Sequence, residues 1–397
     1  MYSTLYQRKY GMKSDKSAKI LVVDDEPRNV KILQIQLQAR GYTVFTASDG
    51  VEALQIISDD IPDLILLDIN MPKVDGFEVV TRVRADKKTE FIPIIMITAL
   101  RDTHENRIKA VEAGADDFIE KPFNSFEVLA RIKSLLRIKL YHDTLEQHNA
   151  RLETELQMAR SVQEIIIPQN GTQELAGFQI ASYSCPALAV GGDFFDVWEI
   201  DENRIGVLIS DVMGHGASAA LVTVFIKTVL SEHREHIKDN PSQILQILNT
   251  RFNDIISSRL FMFATAFCAI FDLTTKQLVC SNAGHPTPFL QHGLQSECER
   301  ITDRQTGNGL GIRRESVYEN CSYRFDSSSR VFFYTDGAYE VKNSQNENFT
   351  VERLQDVIKT CNAESPDDLI EFVSDIIAKY SHAHPYEDDL TLIAIQG

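Results

Sequence analysis

From Lys19 to about Arg137, apolar residues fall in short unbroken runs: Ile20-Leu21-Val22-Val23, Leu64-Ile65-Leu66-Leu67 and Ile94-Ile95-Met96-Ile97. Runs that do not alternate with polar residues are the pattern of parallel strands buried on both faces. Between the first two runs, Val30, Leu33 and Leu37 share one helical face, and Gly41 can end that helix. The pattern predicts a doubly wound α/β unit. From Ile138 to about Gln163 there is neither Gly nor Pro, and Ile138, Leu145, Leu152, Ala159 and Ile166 recur every seven residues, with Leu156 at an alternate position. This spacing predicts a long helix able to pair as a coiled coil, its second apolar position interrupted by His142, Asn149 and Gln163. Pro168 and Gly171 close the segment.

Beyond Phe178 the texture becomes that of a mixed α/β domain. Strand-like runs cover Ile205–Ile209, Ala264–Phe271, Val331–Tyr334 and Leu390–Ile395, and helical stretches cover Gly216–His233, Pro241–Ser257 and Pro366–Tyr380. The expected layout is a disordered polar lead-in over 1–17, an α/β domain over 18–137, a helical linker over 138–170 and a second domain over 171–397.

Charge narrows the classes of partner. The net charge is −17, which argues against nucleic acid, because phosphate binding needs clustered Lys and Arg. No run of 18 apolar residues occurs, so no membrane span is expected, and the start lacks the apolar stretch of a signal peptide. Six cysteines (Cys185, Cys268, Cys280, Cys298, Cys321, Cys361) all lie beyond residue 184, with no pair spaced for zinc or redox chemistry. The expected location is a reducing cytoplasm.

Candidate chemistry sits at strand ends. Asp24 and Asp25 follow the first run, Asp68 ends the Leu64 run, Thr98 ends the next, and Lys121 precedes Pro122. In a doubly wound sheet these ends meet at one edge, where ligands bind. Three carboxylates there repel one another unless a divalent cation such as Mg²⁺ joins them. A hydroxyl and an ammonium beside them suit a phosphoryl group. One acid at a strand end is an ordinary helix cap; five suitable groups at successive strand ends are not.

These residues, with Met71-Pro72, Asp75-Gly76, Thr98-Ala99 and Lys121-Pro122-Phe123, resemble the response-regulator receiver family. The resemblance implies Asp68 as phosphoacceptor, with Asp24, Asp25 and the Asn70 carbonyl as Mg²⁺ ligands. It implies Thr98 and Lys121 as phosphoryl contacts, Phe118 as an aromatic switch, and a sensor histidine kinase as partner.

Five motifs mark the second half: Gly191-Gly192-Asp193-Phe-Phe-Asp196, Ser210-Asp211-Val212-Met213-Gly214-His215-Gly216, Asn282-Ala283-Gly284-His285-Pro286, Tyr334-Thr335-Asp336-Gly337 and Glu387-Asp388-Asp389-Leu-Thr391. Their acids lie far apart in sequence but at strand ends, as ligands converging on a hard-metal site would. Two adjacent metals can activate water for attack on phosphorus, and no protein nucleophile stands out. Taken singly, Asp336-Gly337 reads as a turn, Asp211 as a helix cap and His285 as a loop histidine bonded to backbone. Gly-Gly-Asp-Phe-Phe lacks the Glu of the Gly-Gly-Asp-Glu-Phe signature of diguanylate cyclases.

In this order the motifs resemble the SpoIIE-type branch of the PPM (type-2C) serine/threonine phosphatases, which includes the stress-response phosphatases acting on anti-sigma-factor antagonists. The Met158–Gln163 stretch, followed by Pro168, resembles the helix preceding that domain. The resemblance implies a β-sandwich flanked by helices and a centre of two Mn²⁺ or Mg²⁺. Asp211 would bridge both metals and the Val212 carbonyl hold one of them. Asp336 and Asp388 would hold the other, with Asp193 in or near the set and Asp389 an adjacent candidate. The expected protein is a response regulator, dimeric through the linker helix, whose phosphorylation controls a phosphatase acting on a STAS-type antagonist. The alternative is an adaptor that sequesters a partner through a phosphatase-like domain.

Overall fold

The structure is a computed structural model that describes residues 18–99, 104–168, 170–214, 216–234, 240–293, 297–301, 307–382 and 386–397. The lead-in over 1–17 and His215 lie outside the described residues. The chain divides into two compact units, Met1–Arg151 and Leu152–Gly397.

In the first unit, β1 (Lys19–Val23), β2 (Thr43–Ala47), β3 (Leu64–Asp68), β4 (Ile94–Ala99) and β5 (Asp117–Lys121) form a parallel sheet ordered β2-β1-β3-β4-β5. Helices α1 (Pro27–Gln38), α2 (Gly50–Asp59), α3 (Gly76–Ala85), α4 (His104–Ala113) and the first part of α5 (Ser125–Ile166) alternate with the strands. Burial on both faces is why the runs read as continuous. Ile20, Val22, Leu64 and Leu66 enter one apolar cluster, and Leu21, Val23, Ile65 and Leu67 enter another. Local chemistry fixes the helix starts: the Asp49 carboxylate accepts from the Val51 and Glu52 amides, and that of Asp75 from the Glu78 amide.

The second unit holds two antiparallel sheets packed face to face. One is ordered β14-β11-β10-β9-β8, using β8 (Asp193–Asp201), β9 (Arg204–Val212), β10 (Ala264–Asp272), β11 (Gln277–Ala283) and β14 (Cys321–Arg324). The other is ordered β13-β12-β15-β16-β7-β6, using β6 (Gly171–Leu175), β7 (Phe178–Cys185), β12 (Phe289–His292), β13 (Cys298–Arg300), β15 (Ser329–Tyr334) and β16 (Leu390–Gln396). Strand alternation sorts the side chains into three layers. Ile205, Val207, Ile209, Phe267, Phe333 and Ile393 meet between the sheets. Leu208, Val212 and Cys268 face out beneath α6 (Ala217–His233) and α7 (Pro241–Phe252). Phe332, Tyr334 and Leu392 face out beneath α8 (Val351–Thr360) and α9 (Pro366–Tyr380). The result is a β-sandwich with a helical layer on each side. Among the described residues, no helix is long and apolar enough to cross a membrane.

Candidate functional site

The first site lies at the carboxyl edge of the parallel sheet. Asp24, Asp25 and Asp68 bring carboxylate oxygens within 4.8 Å of one another. Lys121 Nζ lies 2.9 Å from Asp24 Oδ2 and 2.9 Å from Asp68 Oδ1, so the cluster carries its own counter-charge. Asp24 is further held by the Glu26 amide at 2.9 Å and the Asn29 side-chain amide at 3.1 Å. Burial pushes the Asp68 carboxyl up to about 6, against the opposing pull of Lys121. Asn70 is exposed just beyond β3, and Thr98 is buried near the end of β4 beside Glu120 of β5. Phe118, on β5, is half-buried against the apolar cluster under the sheet. The expected receiver residues are thus gathered at one edge or on the strands that form it.

The second site grows out of the alternation that fills the sandwich. The inward rows that contribute Phe195, Ile209, Phe267, Phe333 and Ile393 continue, two residues on, to Asp193, Asp211, Thr265, Thr335 and Thr391. Each apolar row therefore ends in a polar group at the same end of the core. Asp193 and Asp211 are directly opposed on β8 and β9, and Asp211 is opposed to Thr265 on β10. The neighbouring Val212 amide donates to the Gly192 carbonyl at 3.2 Å, which makes Asp193–Asp211 a non-hydrogen-bonded pair, the kind whose side chains lie closest. Like charges in that position are destabilising unless a cation joins them.

Across the sandwich, the Thr335 hydroxyl donates to Asp193 Oδ2 at 2.7 Å and accepts the Thr391 amide at 3.0 Å. Asp336 follows Thr335 in a short turn whose carbonyl accepts the Tyr339 and Glu340 amides. Burial, then Asp336, Asp388, Asp389 and Glu340, raise Asp211 to about 7. Burial, then Asp388 and Glu340, raise Asp336 to about 6. Burial, then Asp211 and Asp389, hold Asp193 well above the ordinary carboxylate range. Among the described residues none of Asp193, Asp211, Asp336 and Asp388 has an ion-pair partner, unlike Asp196, which is held by Lys227 at 2.7 Å. Asp193 is buried, Asp211 and Asp336 are half-buried and Asp388 is exposed. Among the described residues only the receiver acids bring three ligand atoms within 4.8 Å of one another. An uncompensated set of carboxylates nonetheless has the donor chemistry of a hard divalent cation site. A cleft of about 380 Å³ opens beside Gly337, Glu340 and Asp388.

Asp388 and Asp389 have different surroundings. Asp389 is buried, and its two oxygens accept the Ala187 amide at 2.8 Å and the Gly192 amide at 2.5 Å. Asp388 is exposed at the cleft, one oxygen taking the Asp389 amide at 2.8 Å. The Gly191-Gly192 turn must be glycine for a packing reason. A Cβ on Gly191 would sit 2.7 Å from Asp389 Oδ2, and one on Gly192 2.8 Å from the Val212 carbonyl. His285 is buried, its Nδ1 2.8 Å from the Thr265 hydroxyl and its amide bonded to the Asn282 side chain, so it braces β10 and β11.

Two contributors escaped the sequence reading. Glu340 adds a further acid near Asp211 and Asp336; its spacing of one helical turn after Asp336 was the available signal. Gln163, near the end of α5, is only 7% exposed; its side chain donates to the Gly191 carbonyl at 2.8 Å and to Thr223 at 3.2 Å, and accepts the Gly191 amide at 3.3 Å. No local pattern announces that contact.

Comparison with known proteins finds one family in each part of the chain. Residues 20–133 match the family "Response regulator receiver domain", and residues 201–396 match "Stage II sporulation protein E (SpoIIE)". The chain is 47% identical over 134 residues to the response regulator PleD of Caulobacter vibrioides, an alignment covering 34% of this chain and 29% of PleD. It is 36% identical over 237 residues to "Probable transcriptional regulator ycf27" of Cyanophora paradoxa, covering 59% of this chain and 93% of that relative. The chain spans less than a third of the length of PleD. In fold it is similar to the SiaA-PP2C domain of Pseudomonas aeruginosa, with TM-score 0.54 and 20% identity over 63% of this chain and 98% of that one. The chain belongs to the response regulators, with an N-terminal receiver domain joined by a long helix to a C-terminal domain of the SpoIIE-type PPM phosphatase family.

Proposed function

We propose that a phosphoryl group accepted at Asp68 from a sensor histidine kinase controls a metal-dependent protein serine/threonine phosphatase in the C-terminal domain. The observation that supports this reading is the row of mutually repelling carboxylates at one end of the sandwich, Asp193 buried and Asp211 and Asp336 half-buried, without ion-pair partners among the described residues. Two Mn²⁺ or Mg²⁺ bound there would neutralise phosphate oxygens and supply an activated water.

The chain's own groups have separable tasks. Asp211, the Val212 carbonyl, Asp336 and Asp388 would hold the two metals, with Asp193 completing the set. Thr335 fixes the Asp193 carboxylate. Asp389 acts as a brace, because both of its oxygens are already taken by the backbone of the Ala187–Gly192 loop. In the receiver, Asp24, Asp25 and the Asn70 carbonyl would hold Mg²⁺, and Thr98 and Lys121 would meet the phosphoryl group. Phe118 reports the change.

We assign the receiver to 18–137, the linker to 138–170 and the phosphatase to 171–397. Ile138, Leu145 and Leu152 are each more than half exposed on α5, which supports pairing of two chains through that seam. The substrate we favour is a phosphorylated STAS-type antagonist in the cytoplasm.

The test is phosphate release from a phosphoserine substrate by the full chain. The wild type needs Mn²⁺ or Mg²⁺, and Asp211→Asn loses about a thousandfold in rate, roughly 4 kcal/mol of transition-state stabilisation. Activity that persists in chelator, or an undiminished rate in that variant, overturns the reading.

A further inference from the structure

One chemically competent pair lies outside both sites. Cys280 on β11 and Cys321 on β14 are directly opposed in the antiparallel ladder. In the same ladder the Phe325 amide donates to the Lys276 carbonyl, so counting in twos makes 280/321 a hydrogen-bonded pair, whose Cα atoms lie about 5.5 Å apart. That Cα separation is inside the range a disulfide spans, directly opposed residues point to the same face of the sheet, and the Cβ atoms of such a pair have to draw together by about 1 Å to bond. Both thiols meet the apolar layer between the sheets. The other four cysteines have no such relation: Cys268 faces the opposite side of its sheet, Cys298 and Cys361 lie in the layer under α8 and α9, and Cys185 is paired with Leu390.

Access is asymmetric in a way that suits stepwise oxidation. Cys280 is 2% exposed, whereas Cys321 is half-buried on β14, the edge strand of its sheet. We propose that Cys280 and Cys321 form a redox-active pair that closes into a cross-strand disulfide when hydrogen peroxide reaches the edge of this sheet. The Cys321 thiolate attacks one peroxide oxygen, giving a sulfenic acid and one water. The Cys280 thiolate then attacks that sulfur, forming the S–S bond and releasing a second water. Two electrons and two protons pass from the thiols to the peroxide. The bond closes a loop of about 40 residues that contains Asn282 and His285, so it restrains the unfolded chain and fastens the exposed edge.

The full chain is treated with peroxide, blocked with an alkylating agent, digested and analysed by mass spectrometry. The expected product is a Cys280–Cys321 linked peptide that dithiothreitol removes, with a higher melting temperature for the oxidised protein than for the reduced one. Cys321→Ser, at a half-buried edge position, abolishes both the linked peptide and the shift. If that variant retains the peroxide-dependent shift, if Cys321 advances to sulfinic acid with no linked peptide, or if the link joins other cysteines, the proposal is overturned.

Discussion

The two acidic sites solve one electrostatic problem in opposite ways. In the receiver, Lys121 stands between Asp24 and Asp68, and the acids gather within 4.8 Å of one another. In the phosphatase domain the acids come from β8, β9, the turn after β15 and the segment before β16, and among the described residues they have no paired cation. Asp68 rises to about 6 and Asp211 to about 7. Burial dominates both, but the further influences on Asp211 are all acidic neighbours, whereas Asp68 is relieved by an ammonium. A site with its own counter-charge tolerates an empty state and suits a reversible switch. A site without one depends on what it binds, and is held in shape by hydroxyl and backbone contacts instead.

This contrast breaks most decisively at Asp211. Asp211→Asn is expected to remove phosphatase activity while leaving phosphoryl uptake by the receiver unchanged. If the activity survives, the adaptor reading gains. On the receiver side, Asp68→Asn is expected to abolish labelling by acetyl phosphate, and hydroxylamine is expected to strip the label from the wild type. Labelling that persists in Asp68→Asn breaks the assignment.

A smaller effect concerns pH. Burial pushes His285 down to about 3, so the folded state keeps it neutral while the unfolded chain protonates near 6.5. Below that value the unfolded state binds the extra proton, so the contribution is intact above pH 6.5 and is lost progressively as pH falls towards 3. At pH 5 the loss is about 2 kcal/mol. Denaturant unfolding of His285→Asn and wild type is expected to show the variant's relative stability improving by that amount between pH 7 and pH 5. An unchanged difference means that His285 is not held neutral.

Gln163→Ala removes the side-chain contacts to Gly191 and Thr223 and is expected to cost about 1–2 kcal/mol of stability in the C-terminal domain. A neutral result separates that contact from the integrity of the Asp193 loop. Leu145→Asp with Leu152→Asp adds charge to exposed positions, so the expected change is in oligomeric state rather than fold. Light scattering that shows the same assembly as the wild type disposes of the paired seam.

The sequence by itself determined the central strands of each domain and the acids at their ends, while strands such as β2, β6 and β13 left no such run. Short unbroken apolar runs bounded by polar residues fit strands buried on both faces, and in the sandwich a period of two carries each inward row to a polar residue at its end, as from Ile209 to Asp211. Only the tertiary structure gave Asp388 and Asp389 different surroundings, because the bonds to Asp389 come from Ala187 and Gly192, about 200 positions away. Only the tertiary structure gave use to the polar residues that interrupt the heptads: His142 stacks on Phe91 with ring centroids 4.2 Å apart, and Gln163 grips the Gly191 turn. The physical reason is the range of the interaction. Alternation and turn chemistry act between neighbours in sequence and leave a local pattern, whereas a buried hydrogen bond across the fold is chosen by whatever packing brings near, and neither partner's sequence neighbourhood records the other.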